Sequence, residues 1–248
     1  MRTSKIYDCE VAAINMNETL KVVADIIDKK VYTQHVVLNA SKVVLMKENP
    51  ELKKIIQNCS LINADGQSIV WASKILGNPL PERVAGIDLM ERIIKMASEK
   101  SYGVFFFGAK EDVVKNVVNR YKELYPNLIV SGYRNGYFTD KENPEIVQTI
   151  KESKADILLV AFSSPKKEYW LSKYGEEMRV PFVMGVGGSF DVVAGVTKRA
   201  PNWMQKFGLE WFYRFTQEPG RMWKRYLIGN TKFIIYTLEE KFKRLKDN

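Results

Sequence analysis

An apolar run broken by glycines is the first feature of this chain with chemical consequences. Residues 182–186 are predicted to form a buried strand that breaks at Gly185. Gly187 and Gly188 follow, and a helix is predicted to begin at Ser189. Backbone N–H groups and the positive end of a helix dipole would then point at one spot, which is how proteins hold phosphate without a metal. The spacing therefore indicates a phosphate-binding turn.

A carboxylate at a second predicted strand end can supply acid–base chemistry. Asp65 follows the apolar run 61–64 and precedes Gly66. From such a position it can reach a substrate hydroxyl and act as a general base. The alternative is that Asp65 caps a helix beginning at Gly66, and one carboxylate can do both.

An arginine on a proline-bounded loop can hold a charged ligand. Arg83 lies within residues 79–88, and its guanidinium can bind a phosphate with two parallel hydrogen bonds. The alternative interpretation is a surface salt bridge.

Several common cofactor and metal signatures are missing. Residues 185–190 lack the third glycine of a dinucleotide-binding G-x-G-x-x-G, and the chain has no G-x-x-x-x-G-K-[ST] loop and no Asp-x-Asp pair. His35 is the only histidine, and Cys9 and Cys59 have no paired spacing, so they are predicted to be buried, reduced thiols. We therefore predict no metal and no cofactor, with phosphate charge met by helix N-termini and arginines.

Charge and aromatic residues concentrate at the C-terminal end. The 248 residues carry a formal charge of +9, of which residues 196–248 contribute +7. The same segment holds three of the five tryptophans. Such a composition suits the interface of an anionic membrane. It also permits a segment that merely packs on the core, or single-stranded nucleic acid binding, which is disfavoured because no nucleic-acid motif is present and residues 1–195 are nearly neutral.

The elements that must position these residues alternate along the chain. Strands are predicted at 6–14, 35–39, 61–63, 104–107, 128–131, 157–162 and 182–186, and helices near 18–27, 41–48, 50–57, 66–76, 88–98, 111–124, 144–152 and 165–175. This order predicts a Rossmann-like α/β fold, with a mainly parallel sheet and helices on both faces. We expect residues 1–195 to form this domain and residues 196–248 a basic, aromatic, helical appendage. Polar residues at the strand ends, including Asn39 and Asp65, would converge on one cleft.

Taken together, the motifs resemble the WecG/TagA/CpsF glycosyltransferases, glycosyltransferase family 26. The segments that carry the resemblance span almost the whole chain, in order: Asn39-Ala40-Ser41-Lys42, Ala64-Asp65-Gly66-Gln67, residues 81–88, Asn135-Gly136-Tyr137-Phe138, Ser164-Pro165-Lys166-Lys167-Glu168, residues 184–191, Lys198-Arg199-Ala200-Pro201 and residues 208–214.

The resemblance implies a cytoplasmic, metal-independent, inverting transferase that lies peripherally on the inner face of the cell membrane. Its members move a sugar, typically N-acetylmannosamine or its uronic acid, from a UDP donor to a polyprenyl-diphosphate-linked sugar during cell-wall or surface-polysaccharide synthesis. By the same resemblance Asp65 is the base, and Asn39 and Arg83 line the pocket. The nucleotide would lie at Tyr137, Gly187, Gly188, Ser189 and Asp191, and the lipid diphosphate at Arg214, Arg221 and Arg225.

Two departures from the commoner family pattern bear on the donor sugar. Val37 stands where many relatives carry threonine, and Lys167 stands where they carry glutamine. A Lys167 that faces the donor would favour a carboxylated sugar, whereas the alternative is a solvated lysine at a helix start. A membrane-docked, nucleotide-binding regulator without catalysis is the rival function, and the oligomeric state is not predicted.

Overall fold

A computed structural model describes residues 1–217, 219–223 and 227–246, without the side chains of Asn202, Lys206, Arg221 and Met222. The strands are β1 (Thr3–Ile6), β2 (Cys9–Ala12), β3 (Thr33–Leu38), β4 (Leu61–Ala64), β5 (Gly103–Gly108), β6 (Ile129–Arg134), β7 (Ile157–Ala161) and β8 (Phe182–Gly185). The helices are α1 (Met16–Asp28), α2 (Ala40–Glu48), α3 (Pro50–Gln57), α4 (Gln67–Ile75), α5 (Gly86–Lys100), α6 (Glu111–Leu124), α7 (Asn143–Glu152), α8 (Lys166–Tyr174), α9 (Ser189–Val193), α10 (Asn202–Lys206), α11 (Glu210–Gln217), α12 (Pro219–Trp223) and α13 (Gly229–Lys246), with a 3-10 turn at Asp140–Glu142.

Six strands form one parallel sheet in the order β4-β3-β8-β7-β5-β6, which confirms the predicted α/β class. The central strands are buried over their whole length because helices cover both faces, as the apolar runs of β5 and β7 predict. Helices α1, α5, α6 and α9 pack on one face. Helices α2, α3, α4, α7 and α8 pack on the other.

The connections around β8 create a crevice at its carboxyl end. The chain leaves β8 toward α9 on one face, whereas the neighbouring strands β3 and β7 lead to α2 and α8 on the opposite face. Adjacent connections that diverge in this way open a binding crevice outside the strand ends. The glycine-rich turn predicted from the sequence therefore lies at the mouth of this crevice.

The prediction of one strand over residues 6–14 is wrong. The chain instead forms the antiparallel hairpin β1–β2, outside the main sheet, with Ile6 paired to Cys9. Tyr7 and Asp8 occupy the turn with φ angles of 49° and 61°. Two successive left-handed residues give a turn whose twist matches that of the flanking strands, so the hairpin closes without glycine.

The C-terminal helix α13 packs on the face that carries α2 and α4. Phe233 is buried against Tyr7, and the hydroxyls of Tyr7 and Thr237 lie 2.6 Å apart. Arg244 donates to the backbone carbonyls of Leu76 and Lys5. These contacts attach the end of the described chain to the sheet domain. Within the described ranges, no helix is both long enough and apolar enough to cross a membrane.

Candidate active site

Asp65 follows β4 directly, next to the end of β3. Its backbone N–H donates to the carbonyl of Leu38 at 2.8 Å, which fixes it at the strand end. The residue at the N-cap of α4 is Gly66, with φ of 103°, and no side chain caps this helix. The capping interpretation of Asp65 therefore finds no support, and the carboxylate accepts no hydrogen bond from any residue that the structure describes.

The surroundings of Asp65 set its proton affinity. Burial raises the pKa of the Asp65 carboxyl above its usual range, although the positive charge of Arg83 opposes this shift. Glu210 raises the pKa further, while Arg214 and Lys42 lower it. A carboxylate with a raised pKa is a stronger base once it is ionised, which suits it to general-base catalysis.

Arg83 lies beside Asp65 because its loop is bonded to the end of β4. The N–H of Val84 donates to the carbonyl of Ala64 at 2.9 Å. The Arg83 guanidinium is mostly buried, and its Nη1 donates to Oε2 of Glu210 at 2.5 Å. The partner is thus an acid from the C-terminal segment rather than a surface residue of the same loop.

Glu210 also faces a second arginine, so that four charged side chains join the C-terminal segment to the sheet domain. Oε1 of Glu210 lies 3.6 Å from Nε of Arg199. Arg199 Nη2 donates to Oδ1 of Asp88 in α5 at 2.5 Å. We call Arg83, Asp88, Arg199 and Glu210 the Glu210 network. It brings three segments of the sequence motifs into direct contact.

Arg214 approaches Asp65 because α11 is docked at the start of α4. Glu210 and Arg214 are four residues apart and therefore lie on one face of α11. The charge of Arg214 acts on Asp65, so the structure brings together Asp65, Arg83 and Arg214 as predicted candidates. Of the other two predicted arginines, only the backbone of Arg221 is described, within α12, and Arg225 lies outside the described residues.

The glycine-rich turn leads from β8 into the short helix α9. Gly187 has φ of 55°, a conformation that glycine adopts without strain, and Gly188 is the N-cap of α9. Ser189 donates both its N–H and its hydroxyl to the carbonyl of Val186, so its polar groups stabilise the turn itself. Asp191 is half-buried in α9, near Gly188.

The side chain of Lys167 is buried and contacts other side chains of the protein. Its Nζ lies 3.0 Å from Oε1 of Glu168 and 3.2 Å from Oγ of Ser164, and the side chain is buried. The alternative interpretation, a solvated lysine at the start of α8, is therefore wrong. A Cβ at Gly185 would lie 2.6 Å from Cδ of Lys167, so the glycine is needed for the lysine stem to cross the end of β8.

Sequence reasoning missed the buried ion pair of Lys42 and Glu168 next to Lys167. Lys42 Nζ donates to Oε1 of Glu168 at 2.7 Å, and both side chains are almost completely buried. Burial alone would raise the pKa of Glu168, but the charges of Lys42 and Lys167 outweigh it and hold the pKa at about 2. Both residues stand in the quoted motifs, yet their spacing of more than 100 residues gave no sign of contact.

Asn39 lies at the end of β3, and Tyr137 lies in the loop that follows β6. Asn39 is the N-cap of α2, and its Oδ1 accepts from the N–H of Lys42 at 3.0 Å. Tyr137 is 71% exposed beside the β5 end, where Gly136 N donates to the carbonyl of Ala109. Its neighbour Phe138 packs on Phe107. Nζ of Lys166 lies 4.8 Å from the centroid of the Phe138 ring.

The single histidine and the two cysteines of the chain are buried. His35 Nε2 bonds Oδ1 of Asn63 at 3.0 Å, and burial lowers the pKa of His35 to about 4, so the ring is neutral. Cys9 and Cys59 are free and buried. Over the described ranges, no group of three or more histidine, cysteine and acidic side chains is placed to hold a metal ion.

Comparison with known proteins gives a match over almost the whole chain. The profile of the glycosyl transferase WecG/TagA/CpsF family matches residues 4–247. Three similar proteins all bear the name N-acetylglucosaminyldiphosphoundecaprenol N-acetyl-beta-D-mannosaminyltransferase. The protein of Bacillus spizizenii is 36% identical over 77% of this chain and 73% of its own length. The Bacillus subtilis protein is 35% identical over 75% and 71%, and that of Staphylococcus aureus 37% over 73% and 68%.

Proposed function

Because the chain belongs to the WecG/TagA/CpsF family of glycosyl transferases, we propose that it moves a hexose from a UDP donor to a polyprenyl-diphosphate-linked sugar. The donor sugar is N-acetylmannosamine, its uronic acid or a related hexose, and the product serves cell-wall or surface-polysaccharide synthesis. The reaction proceeds with inversion and without a metal ion. The names of the relatives, which specify a mannosaminyl transfer to a diphosphoundecaprenol-linked sugar, support this assignment.

One observation carries the proposal: a carboxylate at a strand end lies within electrostatic reach of two arginines. Asp65 supplies the base, and Arg83 and Arg214 supply positive charge next to it. A sugar transfer needs both, because a hydroxyl must lose its proton while a diphosphate leaves.

The chemical step is a single displacement. Asp65 takes the proton of the acceptor hydroxyl, and the hydroxyl oxygen forms a bond to the anomeric carbon of the donor sugar. The bond between that carbon and the diphosphate oxygen breaks, and its electron pair leaves with UDP. Attack from the face opposite to the diphosphate inverts the configuration at the anomeric carbon.

Departing UDP carries negative charge that this site would stabilise with fixed donors. We expect the backbone N–H groups at Gly187 and Gly188 to donate to the diphosphate, together with the guanidinium of Arg83. Uracil would lie near Tyr137, and the ribose near Asp191. Such preorganised donors act most strongly where water is excluded. The C-terminal segment supports this arrangement, since Glu210 and Arg214 of α11 reach the Asp65 region.

A lipid-linked acceptor requires an approach from the membrane surface. Trp203, Phe207 and Trp211 of the α10–α11 region are exposed, and so are Phe242 and Leu245 of α13. Residues 196–248 also carry most of the net positive charge of the chain. Exposed aromatic rings beside lysines and arginines support peripheral binding to an anionic membrane on the cytoplasmic side.

A panel of UDP-sugars tests the proposal directly. The full chain is incubated with each UDP-sugar, with and without a polyprenyl-diphosphate-linked N-acetylglucosamine, and UDP release is measured. We expect release that depends on the acceptor, for one or a few donors, and that survives addition of EDTA. UDP binding without acceptor-dependent release would instead support a nucleotide-binding regulator, and loss of turnover with EDTA would contradict the metal-independent mechanism.

A further inference from the structure

Glu210 contacts two arginines, and only one of the contacts is a hydrogen bond. Oε2 of Glu210 accepts from Arg83 Nη1 at 2.5 Å, whereas Oε1 lies 3.6 Å from Arg199 Nε. That Nε is buried and has no hydrogen-bond partner among the described residues. Buried donors are nearly always bonded, so this one needs an explanation.

Arg199 is held so that its unsatisfied Nε faces Glu210. Asp88 accepts from Nη2 of the same guanidinium at 2.5 Å. A movement of the Glu210 carboxylate by less than about 1 Å would complete a normal hydrogen bond to Nε. A small movement would therefore transfer the Glu210 carboxylate from Arg83 to Arg199.

We propose that Glu210 is a positioning residue that exchanges Arg83 for Arg199 when the donor binds. This inference rests on the proposed function, because a diphosphate is the ligand that would take Arg83. Carboxylates and phosphates compete for the same guanidinium donors. A carboxylate that stayed on Arg83 would keep the guanidinium donors occupied, and the move to Arg199 frees them for the diphosphate.

The exchange frees Arg83 without releasing the C-terminal segment. Glu210 begins α11, and Arg199 is itself bound to Asp88 of α5. In both positions Glu210 thus keeps α11 attached near the crevice, and Arg214 stays within electrostatic reach of Asp65. Arg83 is neutralised before donor binding and becomes available when the diphosphate arrives.

The test measures UDP affinity of the full chain by calorimetry, with Glu210→Gln as the main variant. Glutamine keeps the size of the side chain and removes the competing charge, so we expect UDP to bind about three- to tenfold more tightly. Glu239→Gln, an exposed change of the same charge in α13, is the matched control and should bind UDP like the wild type. In an Arg83→Gln background, Glu210→Gln should have no effect on UDP affinity.

Arg199→Lys provides a test in the opposite direction. Lysine keeps a positive charge for Asp88 but has no Nε, so Glu210 stays on Arg83 and UDP should bind more weakly than to wild type. Unchanged or weaker UDP binding in a folded Glu210→Gln variant would overturn the exchange, as would a gain that persists without Arg83. If Glu210→Gln does not fold, wild-type affinity in Arg199→Lys overturns it. A wild-type chain that binds no UDP would contradict the proposed function instead.

Discussion

Gly208 lies against Gln67, the first residue of the helix that follows Asp65. A Cβ on Gly208 would approach Cβ of Gln67 to 2.9 Å, and Gly208 has φ of 71°. Position 208 requires glycine for both reasons. A Cβ there would be too close to Gln67, and a residue with a side chain would be strained at this φ. This contact places the start of α11, with Glu210 and Arg214, beside the candidate base.

Gly208→Ala should therefore displace α11 from the crevice. We expect turnover on a lipid-linked acceptor to fall by about tenfold or more, because small misplacements of charged groups are costly in catalysis. Gly220→Ala is the matched control, since no atom that the structure describes lies within 4 Å of a Cβ at Gly220. Equal turnover in the two variants would show that close docking at Gly208 is not needed.

Asp65→Ala should lower turnover by roughly 10²–10⁴-fold, the usual contribution of a general base, while UDP binding persists. The pH dependence gives a second criterion. Since only the ionised carboxylate accepts a proton, activity should fall as the pH drops through the raised pKa of Asp65, above the usual range of an aspartate. Near-normal turnover in Asp65→Ala, or a wild-type rate that stays flat down to the usual aspartate range, would refute the assignment.

Asp65→Asn should stabilise the folded chain at neutral pH. The folded-state pKa of Asp65 is raised, so the folded state binds a proton more readily than the unfolded state, and the ionised carboxylate costs stability above both pKa values. The gain of the variant should disappear as the pH falls below the unfolded pKa of about 3.9. Urea unfolding at several pH values measures this difference, and a variant that is less stable than wild type at pH 7 would contradict it.

Glu168→Gln should destabilise the chain at neutral pH. Its folded-state pKa is lowered from 4.5 to about 2, so the stability that ionised Glu168 contributes is present above pH 4.5 and is lost as the pH falls toward 2. The size of the shift corresponds to about 3 kcal/mol, and the variant leaves Lys42 and Lys167 without their carboxylate. Glu177→Gln, an exposed change of the same charge, is the control and should unfold like the wild type. Equal urea midpoints for both variants at pH 7 would show that the buried cluster contributes little.

Replacing two exposed aromatic residues should weaken membrane binding. Trp203 and Phe207 lie one turn apart at α10, next to Gly208, and are 58% and 71% exposed. Trp203→Ser with Phe207→Ser should lower affinity for vesicles rich in anionic lipid by about tenfold, because the rings no longer enter the interface. Leu124→Ser, an exposed apolar change in α6, is the control in a vesicle sedimentation assay. Wild-type binding by the double variant would exclude this region from the membrane contact.

Local patterns in the sequence determined the sheet domain and the position of its crevice. Strand and helix periodicities depend on neighbouring residues, so the six strands of the sheet and the eight helices between residues 16 and 174 were predicted close to their observed bounds. The same patterns placed Asp65 and the glycine-rich turn at strand ends. The hairpin at Tyr7 and Asp8 was missed because no glycine marks its turn.

The tertiary structure alone decided which charged residues meet. Glu210 binds Arg83 across 127 residues, and Lys42 binds Glu168 across 126, distances along the chain that no helical or strand period connects. The packing of α13 on Tyr7 likewise joins the two ends of the chain. The sequence determined which groups were available for chemistry at the crevice, whereas long-range packing determined their partners, because pairing of buried charges depends on where the folded backbone places them.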